Sequence, residues 1–421
     1  MMWAWEQRAK ITSSPHFYIG TFLTVTVLLS FFVFNSWQVD DSVNLGPSVN
    51  IISSSAQTLR QLIHDATARG KAAQALATRS VSAPVFVREG GIDYSLSSAD
   101  FTQKEAVRTV DAPKDKTDPF DKDHRETSLY VASLTVKVAT KTQDVRGISV
   151  STDPTVSLAT AASPYVTTKS YFVQLNKFNT IKDHALLVTD VYEEQSTPLD
   201  VADLAAWYYA VMQTNSVGFY NSDFAAGASQ RHKHMQVIPR DEFWSTRPAD
   251  AETALPVDKV ILPLILSKAW QPAHCASLRV TNYPTQRMPG HVGWDFEHSI
   301  AVLQGVEDDA ESERREDHMC QYSRVLHAYC AVLRDIGASA PACAHSSSVP
   351  VSAIPTVSYN VLLTRQWIMV VARTKRSAMQ GAVGVNCFGF VGLFLARDKA
   401  AVGAAAEAGP LSLLRNVTRL G

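Results

Sequence analysis

The residues best suited to chemistry lie together in GASQRHKHMQ, Gly227 to Gln236. A small-residue loop runs there into two histidines and a glutamine at alternate positions. Side chains alternate between the two faces of an extended chain. HKHMQVIP therefore sets His232, His234 and Gln236 on one face. Gly227 lets the backbone approach a ligand closely. Loop N–H groups and the Ser229 hydroxyl could form a nest for phosphate oxygens. A neutral imidazole is a competent nucleophile toward phosphorus and forms a covalent intermediate. The second imidazole can fix the tautomer of the first or help move a proton. Gln236 offers an uncharged hydrogen-bond donor to a phosphoryl oxygen. The same residues also suit a solvated strand edge or a pair of zinc ligands. Zinc takes three or four ligands, and no supporting spacing lies nearby. Cys343/His345 and His318/Cys320 are remote candidates that read more simply as loop or helix surface. From the bare residues, nucleophilic chemistry and a purely structural role both stay open.

Several elements must position this segment. YFVQLN (171–176) reads as a strand, KFNTIKDH as a turn and ALLVTDV (185–191) as a second strand. Pro198-Leu199-Asp200 opens a helix over VADLAAWYYAVMQ, with Asp200 as N-cap. GFYNSD follows as strand and turn. Residues 59–76 have helical spacing, with Leu59, Leu62, Ile63 and Ala66 on one face, and a second such pattern covers 311–336. VLLTRQWIMVVAR and the Gly-rich GVNCFGFVGLFLA read as late strands. SYNVLLTRQWIMVVAR beside SYFVQLNKFNTIKDHALLVT hints at a weak internal duplication. Residues 38–58 read as a linker, and 110–126 as an exposed charged loop.

The chain has 421 residues, 46 % apolar and 19 % charged, enough for a core of two to three domain equivalents. Thirty-nine basic against 40 acidic residues give a net charge of −1, so there is no global footprint for nucleic acid. Five cysteines without C-x-x-C spacing point to reduced thiols rather than a disulfide framework. Residues 17–37 form an uncharged apolar run of 21, long enough to span a bilayer as a helix. Arg8 and Lys10 precede it, and Asp40 and Asp41 follow. The expectation is a single-pass membrane protein with an N-terminal segment 1–45 and a catalytic region 46–421. The alternative is a cytoplasmic protein whose N-terminal segment is not translated.

The chain resembles the ATP adenylyltransferases, or diadenosine tetraphosphate phosphorylases, of the histidine-triad superfamily, on the branch whose last triad histidine is glutamine. LNKFN, the EEQ-x-x-PL-x-x-x-DL run and GASQ-x-HKH-x-Q carry the resemblance together, with SYNVLLTRQWIMVVAR and GVNCFGFVG later. It covers roughly residues 55–400. It implies a ping-pong reaction in which a histidine attacks the α-phosphorus of diadenosine tetraphosphate and releases ATP. Phosphate then attacks the adenylyl-histidine and ADP leaves. His234 matches the nucleophile, with His232 beside it and Gln236 on the adenylyl phosphate. Gly227, Ala228, Ser229 and Gln230 match the phosphate loop. Asn176 and Lys177 match a nucleotide-contacting pair, and Asn221 the asparagine ahead of the loop. His184 sits where the superfamily has a further histidine. Lys114 lies near a phosphate-contacting lysine, with Lys116 equally placed. Asn360 and Arg365 fall in the late motif.

The resemblance also implies an α+β fold: two histidine-triad-like halves, antiparallel sheets with flanking helices, and an added N-terminal hydrophobic helix. Residues 171–240 would form the core motif, and 350–400 a second strand-rich half completing the site. There are departures from the pattern. VVAR (370–373) stands where relatives read VPR, Arg365 replaces a lysine, and 127–168 look like a Ser/Thr-rich surface insertion. The expected partners are small nucleotides and phosphate, with Mg2+ arriving on the polyphosphate and no organic cofactor. The competing readings are a nucleotide-sugar (GDP-hexose) phosphorylase and a catalytically inactive, membrane-tethered nucleotide-binding protein.

Overall fold

The computed structural model describes residues 50–53, 57–99, 118–141, 143–154, 163–246, 248–249, 251, 253–266, 294–303, 318–338, 340–343 and 357–420. Residues Pro47–Gly421 form one compact unit. In chain order its elements begin β1 (Asn50–Ser53), α1 (Leu59–Ala72), β2 (Val85–Glu89), β3 (Ile92–Ser98), β4 (Tyr130–Ala139) and β5 (Val145–Ser151). There follow β6 (Val166–Leu175), β7 (Ala185–Thr189), α2 (Val201–Thr214), β8 (Ser216–Asn221), β9 (His234–Pro239), α3 (Asp258–Leu266), β10 (His298–Val302) and α4 (His318–Asp335). The chain ends with β11 (Ser358–Leu363), β12 (Trp367–Arg373), β13 (Ser377–Ala378), β14 (Val383–Gly384), α5 (Cys387–Val391), β15 (Leu393–Ala396), α6 (Lys399–Ala408) and α7 (Pro410–Val417).

Ten strands form one sheet in the order β1-β5-β4-β6-β7-β9-β8-β11-β12-β10. Every pairing in it is antiparallel except β1 with β5. A second sheet, β13-β14-β15-β3-β2, lies beside it. Alternation along the strands divides the core. Met235, Val237, Val361 and Val370 join α1, α2 and α4 in one apolar cluster. Phe219, Ile238, Leu362 and Met369 face the other way, toward α3, α5, α7 and the small sheet. His234, Gln236, Asn221 and Asn360 share the parity of that second face.

Helix α2 is the central support. Asp200 caps it through a reciprocal box with Asp203, and Asn215 ends it in the left-handed conformation. Its apolar residues are buried on every side, as suits a helix inside a core. Trp207 packs against Gly218 of β8 so closely that a β-carbon there would lie 2.7 Å from the indole ring.

Behind β9 sits a buried charge cluster. The Lys233 ammonium donates to Glu193 at 2.7 Å, Asp203 at 2.9 Å and the Pro198 carbonyl at 3.3 Å. Its three hydrogens thus meet three acceptors. Lys169 reaches Glu193, Asp200 and Asp203 at 2.7–2.9 Å. Burial alone would raise the Asp203 carboxyl, but the two ammonium groups outweigh it and hold the group below its usual range.

Several expectations need correction. The stretch 127–168, expected to be a surface insertion, carries β4 and β5, whose Leu134, Val136, Ile148 and Val150 are core. VLLTRQWIMVVAR is a hairpin, since Thr364 Oγ1 accepts from the N–H groups of Gln366 and Trp367 and turns the chain. GVNCFGFVGLFLA is broken by α5, capped by Asn386 and ended by Gly392 at φ 109°. Cys330 and Cys343 form a disulfide with Cα atoms 5.3 Å apart, while Cys387 stays a buried thiol. The single-pass membrane placement is not upheld. Its segment, residues 17–37, lies outside the described residues, and among those no helix is long and apolar enough to cross a membrane. The N-terminal hydrophobic helix is withdrawn with it.

Two substitutions test this framework. Lys233→Met leaves the buried Asp203 with Lys169 as its one remaining cation partner among the described residues and should cost about 3 kcal/mol, read from the urea midpoint. Gly218→Ala overpacks the Trp207 ring and should cost about 1–3 kcal/mol by the same measurement.

Candidate active site

The histidine segment enters β9 from the loop that follows Asn221. The loop is wound tightly. Asp223 accepts from Ala226 N–H through its carboxylate at 2.9 Å and from Ala228 N–H through its carbonyl at 2.8 Å. Gly227 has φ +98°, and a β-carbon there would stand 2.9 Å from that of Asn386, so only glycine fits. Ser229 is exposed and Gln230 half-exposed beyond this turn, while Ala228 is buried. Gly227 and Ala228 are thus fixed within the turn, and Ser229 and Gln230 lead from it toward β9.

His234 is buried at the start of β9. Its Nδ1 lies 2.9 Å from the carbonyl of His232. A carbonyl only accepts, so Nδ1 carries the hydrogen and the neutral ring keeps its lone pair on Nε2. His232 is held by two acceptors, Asp118 Oδ2 at 2.6 Å from Nδ1 and the Thr189 carbonyl at 2.8 Å from Nε2. The ring satisfies both when both nitrogens carry hydrogen. Phe120 stands against both imidazoles, 5.8 Å and 5.6 Å between ring centres.

The main chain at His234 is fixed by a side chain. Gln195 Oε1 accepts from His234 N–H at 2.9 Å, and its Nε2 donates to the Asn221 carbonyl at 2.8 Å. The β8–β9 pairing runs from Ser216↔Pro239 only to Phe219↔Gln236. Beyond it the Gln195 amide takes the place of ladder bonds between Asn221 and His234.

Across the next strand Asn360 pairs with Asn221. Asn360 Nδ2 donates to Asn221 Oδ1 at 2.7 Å and to the Ala226 carbonyl at 2.8 Å, which ties the loop to β11. Arg373 lies beneath. It donates to the carbonyls of Ala226, Lys375, Val385 and Val417 and to Asn360 Oδ1. None of these acceptors is charged. Burial pushes the guanidinium down to about 10.

Gln236 is half-exposed next to His234's row, with Oε1 2.9 Å from His184 Nε2. Asn176 joins the same chain, its Nδ2 3.2 Å from His184 Nδ1. Lys177 is exposed, and its carbonyl accepts from Ala77 N–H. Two candidates stand apart. Lys114 lies outside the described residues. Arg365 occupies the β11–β12 turn, five residues and about 16 Å of extended strand from Asn360. Its carbonyl accepts from Tyr208 at the far end of the sheet.

Sequence reasoning leaves out Asp118, Glu193, Gln195 and Arg373. Asp118 falls within the stretch read as a solvated loop. Glu193 and Gln195 belong to the EEQ run, whose specificity was a signal without an assigned role. Glu194 completes that run as the bridge partner of His232. Among the described residues, Glu193, Asp200 and Asp203 come close enough to suggest a cation site. Lys169 and Lys233 already supply the cations there.

Residues 153–262 match the family model for the Ap4A phosphorylase N-terminal domain, and residues 293–419 that for the ATP adenylyltransferase C-terminal domain. Protein APA1 of Saccharomyces cerevisiae is 25 % identical over 237 residues, 55 % of this chain and 62 % of its own. Diadenosine 5',5'''-P1,P4-tetraphosphate phosphorylase 2 of the same yeast is 24 % identical over 248 residues, 54 % of this chain and 63 % of its own. The chain thus matches less than two thirds of the length of these curated relatives. The crystal structure of yeast Ap4A phosphorylase Apa2 has the same fold, with a TM-score of 0.54 at 18 % identity, over 86 % of this chain and 97 % of that one. Its complex with AMP gives 0.54 at 20 % identity, over 86 % and 98 %. Two domain models in tandem, on a shared fold, place the chain in the Ap4A phosphorylase family.

Proposed function

We propose that the protein is a nucleotidyltransferase that phosphorolyses diadenosine tetraphosphate to ADP and ATP through an adenylyl-histidine. The carrying observation is the locked tautomer of His234, with Nδ1–H on the His232 carbonyl at 2.9 Å. In the first step the Nε2 lone pair attacks the α-phosphorus. An N–P bond forms, and the bridging P–O bond to the ATP leaving group breaks. In the second step an oxygen of inorganic phosphate attacks the same phosphorus. The N–P bond breaks, ADP leaves and the lone pair returns to Nε2. Gln236 donates to a phosphoryl oxygen, while the Ser229 hydroxyl and the N–H groups of Ser229 and Gln230 cradle the phosphate; the Gly227 and Ala228 N–H groups are spent on the Phe224 and Asp223 carbonyls. The work is positioning and charge stabilisation. The yeast relatives support this reading: one is named a diadenosine tetraphosphate phosphorylase, and Apa2 has been crystallised with Ap4A and with AMP.

We read Mg2+ as arriving with the polyphosphate, because the close carboxylates of the described residues already face lysines. We read residues 171–240 and 350–400 as two related halves of one catalytic region that meet at the β8–β11 pair. The Asn221–Asn360 bond there supports the reading.

The full chain, mixed with diadenosine tetraphosphate and phosphate, should yield equal ADP and ATP on anion-exchange chromatography. Omitting phosphate should stop turnover, and His234→Ala should abolish it. AMP plus ATP without a phosphate requirement would make the protein a hydrolase, and no product would remove the reading.

A further inference from the structure

His184 and Asn176 lie beside the reacting centre. We infer that they form a one-way hydrogen-bond relay that sets the direction of the Gln236 amide, and that both are positioning residues.

The direction is fixed at a backbone atom. The N–H of Phe178 can only donate, and it lies 3.1 Å from Asn176 Oδ1. Asn176 therefore turns its NH2 toward His184, with Nδ2 3.2 Å from Nδ1 of the ring. An amide NH2 has no acceptor, so His184 Nδ1 must accept. The neutral ring then carries its hydrogen on Nε2. That hydrogen points at the Gln236 amide 2.9 Å away, so the atom facing it is Oε1. The NH2 of Gln236 is the arm left for a phosphoryl oxygen. Without the relay the amide could turn over and present oxygen to oxygen, and the donor would become a repulsive contact.

The framework around the relay is rigid. The Asn176 N–H donates to the His184 carbonyl at 2.8 Å, which closes the β6–β7 turn. Asp183, just before the histidine, holds φ +57° with its carboxylate buried. Thr67 donates to that carboxylate at 2.7 Å and Arg60 at 2.6 Å, both from α1. Phe388 meets the His184 ring edge-on at 6.1 Å. Both terminal atoms of Asn176 are thus engaged within the protein. The residue acts on Gln236 through His184.

The kinetic part of this inference rests on the proposed phosphorolysis; the tautomer does not. Long-range proton–nitrogen NMR of histidine-labelled full-length protein, with His184→Ala for assignment, should find His184 as the Nε2–H tautomer. Asn176→Ala should erase that preference. An Nδ1–H tautomer in the unmodified protein would overturn the relay. In the enzyme assay, His184→Ala should lower kcat about 10- to 100-fold, less than the 10²–10³ typical of removing a donor outright. KM should stay within about threefold, and His184→Gln, which keeps a donor over Oε1, should recover most of the loss. In a Gln236→Ala background, His184→Ala should cost nothing further. Equal losses in both backgrounds would mean that His184 merely supports the fold, and would overturn the assignment. If the unmodified protein makes no ADP or ATP, the phosphorolysis reading fails while the tautomer still decides the relay.

Discussion

The ammonium of Lys233 is buried completely, and the orientation of the whole histidine strand follows from where it must go. A buried cation needs every hydrogen met by an acceptor. Lys233 finds Glu193, Asp203 and the Pro198 carbonyl only on the α2 side of the sheet. His232 and His234 flank it in sequence, so both must face the opposite side. A slip of one residue would bury both imidazoles among the aliphatic side chains of α2 and push the ammonium into the cleft. The charge therefore sets the register of the reactive face.

The EEQ run completes the same device. Glu193 receives Lys233, Glu194 bridges to His232, and Gln195 holds the main chain of His234. Three successive residues of one segment thus grip three successive residues of another. The insertion of the Gln195 amide also ends the β8–β9 ladder just where the site begins. A continued ladder would leave the Asn221 carbonyl and the His234 N–H paired to each other. Here both are bridged by one side chain, and the strands part there.

Legibility in the sequence tracked the range of the physics involved. Alternation put His232, His234 and Gln236 on a common face, and capping chemistry placed the start of α2 at Asp200, because both depend on near neighbours. The β4 and β5 strands were hidden by a Ser/Thr-rich composition, although Leu134, Val136, Ile148 and Val150 carry the alternation of a core sheet. The Cys330–Cys343 bridge joins a helix to the turn after it, a closeness no spacing rule announces. Arg365 drew attention as the cation of the late motif. The fold sends it to a hairpin tip and buries Arg373 under the loop instead. Eight residues along a hairpin carry the chain out and back, so linear distance misleads. Asp118 was lost among charged neighbours because its partner, His232, lies 114 residues away.

Hydrogen positions in the site are dictated by the main chain. The His232 carbonyl obliges His234 to carry its proton on Nδ1, and the Phe178 N–H obliges His184 to carry its proton on Nε2. A hydroxyl, carboxyl or imidazole can exchange its donor and acceptor roles, but a peptide group cannot. The lone pair of His234 and the direction of the Gln236 amide are thus both set by the fold itself. Arg373 adds a buried charge under the loop, where its hydrogen bonds to described residues all go to uncharged oxygens and the Asp223 carboxylate is a nearby counter-charge. Electrostatic stabilisation of this kind is strongest when the dipoles need no rearrangement at the moment of reaction. On the proposed reading the site meets that condition with neutral amides and peptide groups fixed to two sheet strands and one turn. The His234–Gln236 face therefore holds hydrogen-bonding groups whose direction the fold has already chosen.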